Sequence, residues 1–249
     1  LLTEMDACLD MMPIDPSVCP AECNLVNYGD FEGFPSGQNT YYPNFIAPYN
    51  SEVILLQNSP SNTPDVLSSN GNHYLRMINS LSGNNHENGL FPLCQSIPAG
   101  CNFTVDFQAC AEILNGEAQS VTVGVWALSQ LPAGLQLPTD IPCNGQLFDN
   151  QGTLIGTCIG EVELSDDCVF GNVLFPSSPF TFSGVHTSPI SYIWMTETNT
   201  HSTFSSNVYI DNMNVRKDCE DQISVDPIIL SACSGGQAII DFEVCNLGT

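Results

Sequence analysis

In several short runs of this chain, apolar and polar residues change places at every step, in stretches too short for a helix. Phe103, Val105, Phe107 and Ala109 fall on one side of an extended segment, and Thr104, Asp106 and Gln108 on the other. The same period of two runs through residues 73–77, 121–128, 190–196 and 208–215. A strand turns successive side chains to opposite faces, so this spacing gives each strand one core face and one solvated face. The 17 Pro and 19 Gly residues, with many Asn and Ser, cut the runs at short intervals. Many short strands with turns between them predict an all-β fold, an antiparallel β-sandwich or barrel.

The chain divides in three. Residues 1–22 form a leader or linker from a preceding segment, with Cys8, Cys19 and three prolines. Residues 23–219 form the main domain, interrupted at 129–168 by a long Pro- and Gly-containing insertion that holds Cys143, Cys158 and Cys168. A loop of that length usually carries its own hairpin or a function. Residues 220–249 hold two strand patterns around Gly235-Gly236, too few to stand alone, and read as the opening of a following immunoglobulin-like domain. No basic, apolar leader begins at Leu1, so a mature or internal piece of a larger protein is expected.

Charge removes whole classes of partner. Arg76, Arg216 and Lys217 are the only Lys or Arg residues against 27 acids, a formal net charge of -24. Binding nucleic acid requires a basic surface that displaces counterions, and the same surface would be needed on anionic membranes. Neither partner is expected. No apolar run reaches the roughly 20 residues of a membrane-spanning helix. Self-repulsion in so acidic a chain makes bound cations useful.

A chain this long can bury a core unaided, so its twelve cysteines report compartment rather than size. No Cys-x-x-Cys knuckle exists; the nearest pair, Cys19 and Cys23, has three residues between. Zinc ribbons and covalent haem are thereby set aside. Disulfides in an oxidising, secreted or cell-surface location are expected.

Nothing in the sequence marks a reaction. His86-Glu87 lacks the second His of a zincin, and the Ser of Gly33-Phe-Pro-Ser-Gly37 sits one place too late for a nucleophile elbow. No phosphate-binding or dinucleotide fingerprint occurs, and no two carboxylates are marked as a glycosidase pair. A non-catalytic protein is expected.

Three segments, in order, carry a family resemblance. They are Asn-Leu-Val-Asn-Tyr-Gly-Asp-Phe-Glu at 24–32, Gly-Leu-Phe-Pro-Leu-Cys-Gln-Ser-Ile-Pro-Ala-Gly-Cys-Asn-Phe-Thr-Val-Asp-Phe at 89–107, and Val-Tyr-Ile-Asp-Asn-Met-Asn-Val at 208–215. The set resembles the opening strand, a strand pair joined by a Pro-x-Gly turn, and the closing strand of galactose-binding-like jelly-roll modules. That group includes many carbohydrate-binding modules of secreted, multidomain bacterial surface proteins. The resemblance implies an antiparallel jelly-roll β-sandwich. It also implies a structural calcium ion (Ca2+) on the opening Glu and the closing Asp, here Glu32 and Asp211, with Asp30 available to complete the shell. If those two strands run antiparallel with Glu32 beside Asp211, Cys23 and Cys219 come nearly opposite, which implies a Cys23–Cys219 disulfide. Beside it, Cys8–Cys19, Cys143–Cys158 and Cys233–Cys245 are local bridges to expect, with Cys94–Cys101 across the Pro-Ala-Gly turn and Cys110–Cys168. Spacing alone leaves the connectivity open, since twelve cysteines allow about ten thousand pairings.

Sugar-binding modules stack aromatic rings on pyranose faces and read hydroxyls with polar side chains. Tyr192 and Trp194 share one strand face, opposite the core-like Ile193 and Met195, and Trp126 lies opposite the valines of its own strand. Asp106 and Gln108 belong to a polar strand face that would line the same sheet. Arg76 would clamp an acidic sugar or pair with Asp106. The other reading of Trp126 and Trp194 is ordinary packing. The expected function is therefore an adhesion module that binds glycan. The alternative is a structural spacer, or a stalk or filament subunit, whose partners are neighbouring domains or copies in a polymer. Exposed rings would favour the first and buried rings the second.

Overall fold

The computed structural model of this 249-residue chain describes residues 24–26, 29–31, 65–69, 72–79, 87–115, 118–131, 142–149, 151–198 and 204–218. Ten strands run in the order β1 (Asp65–Ser69), β2 (Asn72–Asn79), β3 (Gly89–Ile97), β4 (Asn102–Asn115), β5 (Ser120–Leu128), β6 (Gln146–Phe148), β7 (Leu154–Ser165), β8 (Phe180–Val185), β9 (Ile190–Glu197) and β10 (Ser205–Asp218). They form two sheets of five, ordered β1-β2-β10-β4-β8 and β3-β9-β5-β7-β6. Every pairing between these strands is antiparallel. From β2 to β5, and again from β7 to β10, each strand lies in the opposite sheet from the one before it. That alternation makes the sandwich a jelly roll. Among the described residues there is no helix, hence none long and apolar enough to cross a membrane.

The period of two decides what fills the space between the sheets. From the first sheet, Leu75, Met77, Phe103, Val105, Phe107 and Val208 point inward; from the second, Val121, Val123, Val125, Val162, Ile193 and Met195 meet them, and all are buried. Phe107 packs against Phe180 and Phe182 of β8, with ring centroids 5.8 and 6.0 Å apart. The neighbouring core position on β7 is Gly160, where a Cβ would strike the Phe182 ring. The glycine is there to make room for an aromatic side chain from the opposite sheet.

Segment 129–168, expected as an insertion, holds the β6–β7 hairpin, and β7 pairs with β5 from Ser165 to Gly156. Val162 and Leu164 are buried while Glu161, Glu163 and Ser165 are exposed, so this stretch is a full strand of the second sheet. The segments read as a leader (1–22) and as an immunoglobulin-like start (220–249) lie outside the described residues.

Strand β2 flanks β10 only as far as Ile210. Beyond it residues 24–26 and Gly29 take over that edge, running antiparallel to β10. Leu25 N–H donates to Val215 O and Met213 N–H to Gly29 O, both at 2.8 Å. The Asn24 side chain bridges the two: its amide N donates to Met213 O, and its Oδ1 accepts from the N–H groups of Val26 and Val215, each at 2.9 Å. A Cβ at Gly29 would collide with Met213 O, so only glycine allows so close an approach. The same segment touches the second sheet through a Val26–Leu93 bridge and a Cys94 N–H to Leu25 O bond of 2.9 Å. Residues 24–26 thus tie the two sheets together at one end.

Two disulfides lie within the described residues, Cys110–Cys168 with Cα atoms 5.9 Å apart and Cys143–Cys158 at 5.3 Å. The expected Cys94–Cys101 bridge is corrected: Cys101 is a free thiol and Cys94 is bonded to another cysteine. The reason is topological. The Pro98-Ala99-Gly100 turn does not close a hairpin but carries the chain from the second sheet to the first, and Cys94 sits against the 24–26 segment instead. Cys8, Cys19, Cys23, Cys219, Cys233 and Cys245 lie outside the described residues, and with them the expected Cys23–Cys219, Cys8–Cys19 and Cys233–Cys245 bridges.

Phe107 is wholly buried between two rings of its neighbouring strand, so Phe107→Ala is expected to cost about 3–5 kcal/mol of stability. Urea unfolding of the two proteins, compared by midpoint at equal slope, measures it.

Candidate functional site

The outward face of the first sheet carries Tyr74 and Arg76 from β2, Asp106, Gln108, Cys110 and Glu112 from β4, and Asn207 and Tyr209 from β10. Little of it meets water. On leaving β7 the chain crosses to the free edge of β4, where Ala111 bridges Asp166, Cys168 N–H donates to Ala111 O at 2.9 Å, and Ile113 N–H donates to Asp166 Oδ1 at 2.8 Å. The Cys110–Cys168 bond fixes it there. The following loop lays Val173 and Phe175 over Tyr74 and Tyr209, which meet edge-to-face at 5.6 Å, with Phe175 5.8 Å from Tyr74. Gln108 Nε2 donates to Pro176 O at 2.9 Å and its Oε1 accepts from Asn212 at 2.7 Å. Gln108 therefore holds the loop down.

Glu112 is the polar centre of this cover. One carboxylate oxygen accepts from Phe170 N–H at 3.1 Å; the other accepts from Tyr209 OH and from the Asn207 amide, both at 2.7 Å. Burial pushes its carboxyl up, but the bonds from Phe170, Tyr209 and Asn207, with the charge of Arg76, outweigh this and hold it below the usual glutamate value. Burial, then the bond to Glu112 and its charge, push the Tyr209 phenol far up. Arg76 is buried, with its guanidinium 5.2 Å over the Phe170 ring. The expected Arg76–Asp106 pair is corrected, because Asp106 is ion-paired with Arg216, its near neighbour across the β4–β10 ladder.

The outward face of the second sheet carries the other candidates. Trp126 and Trp194 are direct cross-strand partners with ring centroids 5.8 Å apart. Tyr192 follows on the same face opposite Leu128, half-buried. Both tryptophans are 0% exposed, which corrects the expected open stacking platform. Their cover begins at the second disulfide. Cys158 is the register partner of Trp126, and Cys143, bonded to it, donates its N–H to Glu161 Oε1 at 2.9 Å. A Cβ on Gly124 would press on Thr198, the Trp126 indole nitrogen and Cys143, which places all three over this face. Neither indole N–H has a hydrogen-bond acceptor.

The six expected ligand residues therefore do not meet. Trp126, Tyr192 and Trp194 lie on the outside of one sheet, and Arg76, Asp106 and Gln108 on the outside of the other, with a core about 10 Å thick between. Strand periodicity identified each face but carries no information on which sheet a strand joins.

Of the expected calcium ligands, Glu32 lies outside the described residues. Asp211 is buried at the bulge of β10; its Oδ2 accepts from the Asn72 amide and its Oδ1 from Asn212 N–H, both at 2.7 Å. The Gly29–Met213 bond brings the exposed Asp30 to the part of β10 that carries Asp211. Among the described residues, no three His, Cys, Asp or Glu side chains converge as a metal site.

No protein-family model matches the chain, and no curated protein does. Solved structures similar to it include the CBM22-1 xylan-binding domain from Paenibacillus barcinonensis Xyn10C (9% identity, TM-score 0.35, 62% of this chain and 80% of that one). A family 4 carbohydrate-binding module aligns at 10% identity and TM-score 0.35, over 62% of this chain and 89% of that one. A family 29 carbohydrate-binding module aligns at 8% and 0.33, over 62% and 73%. Likeness this low leaves function to be argued from the residues themselves.

The lowered Glu112 value has a definite sign. Its contribution to stability is complete above the ordinary 4.5 and is lost as the pH falls from there through the lowered folded-state value. Melting temperature is expected to fall more steeply with acid below pH 4.5 in the native protein than in Glu112→Gln. The same variant should speed hydrogen exchange at Phe170 N–H.

Proposed function

We propose that this chain is a non-catalytic, extracellular structural module, a durable spacer within a larger surface protein. The observation that carries the reading is the burial of the aromatic rings on both outward sheet faces, with a disulfide beside each set. A module built to capture ligands leaves one such face open, whereas this one spends its largest aromatic side chains, Trp126, Trp194, Tyr74 and Tyr209, on internal packing. Disulfides suit an oxidising exterior. Only three Lys or Arg residues leave few sites for trypsin-like proteases, and two of them, Arg76 and Lys217, are buried. Neighbouring domains, or copies of the chain in a polymer, are its natural partners. Calcium held by Asp30, Glu32 and Asp211 would clip the 24–32 segment to β10 and offset part of the net charge; the burial of Asp211 supports this.

A second reading, adhesion through glycan, is favoured by one observation. Two buried indole N–H donors without acceptors lie side by side, next to a half-buried Tyr192. Buried donors left unsatisfied cost about 1–3 kcal/mol each, and an absent ligand or water is a common explanation. A sugar entering beneath the Cys143 cover would meet rings to stack on and donors for its hydroxyls.

A glycan array probed with the oxidised full chain in calcium chloride separates the two. The structural reading expects silence, with tryptophan emission at the short wavelengths of buried indole and resistant to acrylamide. Saturable binding that disappears in Tyr192→Ala would overturn it in favour of the glycan reading. The structural reading also expects Cys110→Ala/Cys168→Ala to lose about 4 kcal/mol in urea, the chain-entropy value for a loop spanning 58 residues. It expects limited proteolysis of that variant to begin in the 166–179 loop.

A further inference from the structure

The interior between the sheets is apolar along most of its length and turns polar at one end. There β2 finishes with Asn79, β10 starts at Ser205, β9 finishes with Glu197, and Glu87 and Asn88 lead into β3. Asn79 and Ser206 are register partners and continue the inward-facing series of Met77 and Val208 on the first sheet. Glu197 continues the inward-facing series of Ile193 and Met195 on the second. The β3–β9 ladder begins with Gly89 opposite Met195, so Glu87 and Glu197 both lie just past its end. Asn79, Glu197 and Ser206 are 0% exposed and Glu87 is 1%.

The contacts knit these residues together across the sheets. Ser206 Oγ donates to the Glu197 carboxylate, 2.9 Å from either oxygen. Glu87 Oε2 accepts from Ile78 N–H at 2.7 Å, and Glu87 N–H donates to Ile78 O at 3.1 Å, which holds Glu87 beside the residue preceding Asn79. Asn79 stands apart from the rest: neither its Oδ1 nor its Nδ2 has any hydrogen-bond partner, although the side chain is wholly buried. An amide of this kind costs more unsatisfied than almost any other neutral side chain.

We propose that Glu87, Glu197 and the Asn79 amide oxygen form a buried site for a hard divalent cation of the calcium type. Two carboxyl groups buried at the same end of the sandwich repel when both are ionised, and a cation held by both removes that penalty. Calcium takes carboxylate, amide and hydroxyl oxygens with water and tolerates irregular geometry, which matches this donor set. Asn79 then has a reason to be buried: its oxygen ligates, and its Nδ2 donates to a water of the ion's shell. Ser206 is the positioning residue that orients Glu197. The site is separate from Asp211, which lies five residues further along β10, about 17 Å at strand rise.

The test uses the full chain stripped with EDTA and titrated calorimetrically with calcium chloride, in an Asp211→Asn background so that ligation at Asp211 does not contribute. One calcium is expected to bind, with a rise in melting temperature. Glu197→Gln should weaken binding by about tenfold or more and abolish that rise, and Asn79→Asp, which adds a third carboxylate, should tighten binding by about tenfold. The proposal fails if the Asp211→Asn protein binds no calcium, or if its affinity is the same with and without Glu197→Gln and Asn79→Asp. It fails equally if Glu197→Gln melts higher in EDTA and calcium has no effect on either protein, because the two carboxyls then share a proton. If Glu197→Gln does not fold, Glu87→Gln is read in its place.

Discussion

The contact of Leu75, Val105 and Phe107 with Val123, Val125 and Met195 fixes the two sheets face to face, and every other feature inherits its position from that contact. Once one face of each strand is committed inward, the period of two commits the other face outward. Trp126 is outward because Val125 and Ala127 are not; Tyr209 is outward because Val208 and Ile210 are not. The chain is then left with large aromatic rings on both of its outer surfaces. Covering them is the structural problem that the long connections solve.

The two solutions use the same parts. On the first sheet the covering loop is bonded by Cys168 to Cys110; on the second, Cys143 is bonded to Cys158, the register partner of Trp126. Backbone groups freed by the crossing are satisfied by the sheet's own side chains, Glu112 for Phe170 and Gln108 for Pro176 on one side, and Glu161 for Cys143 on the other. Acidic residues are abundant in this chain, and several serve as acceptors for backbone N–H groups.

How far the residues announced this varies by element. The alternation at 103–109, 121–128, 190–196 and 208–215 lies within β4, β5, β9 and β10, and the same-face reading of Tyr192 and Trp194 agrees with their register. Strand β7 was hidden because Gly156 and Gly160 occupy positions where a side chain would collide with Leu128 or Phe182, so its pattern is blank where the packing is tightest. The proposed ligand set failed for a different reason. Alternation is local, while sheet membership is set by which distant strand a segment meets; no residue of β4 records that β10, about a hundred positions later, lies beside it. The Cys94–Cys101 expectation failed in the same way, since a Pro-x-Gly turn looks alike whether it closes a hairpin or crosses between sheets.

The alternation of successive strands between the sheets also bears on how the molecule is made. Among the described strands, only β1–β2 and β6–β7 join neighbours in the chain; the longest ladder, β4 with β10, unites segments about a hundred residues apart. Loop closure over such a span must be met before the contacts reward it, which places the protein among slow folders, on the scale of milliseconds to seconds. In that interval β4 waits with both long edges unpaired and a fully apolar side, the condition in which strands of neighbouring chains associate. A large net negative charge keeps such half-formed chains apart, so the property that burdens the finished sandwich with repulsion protects it while it assembles.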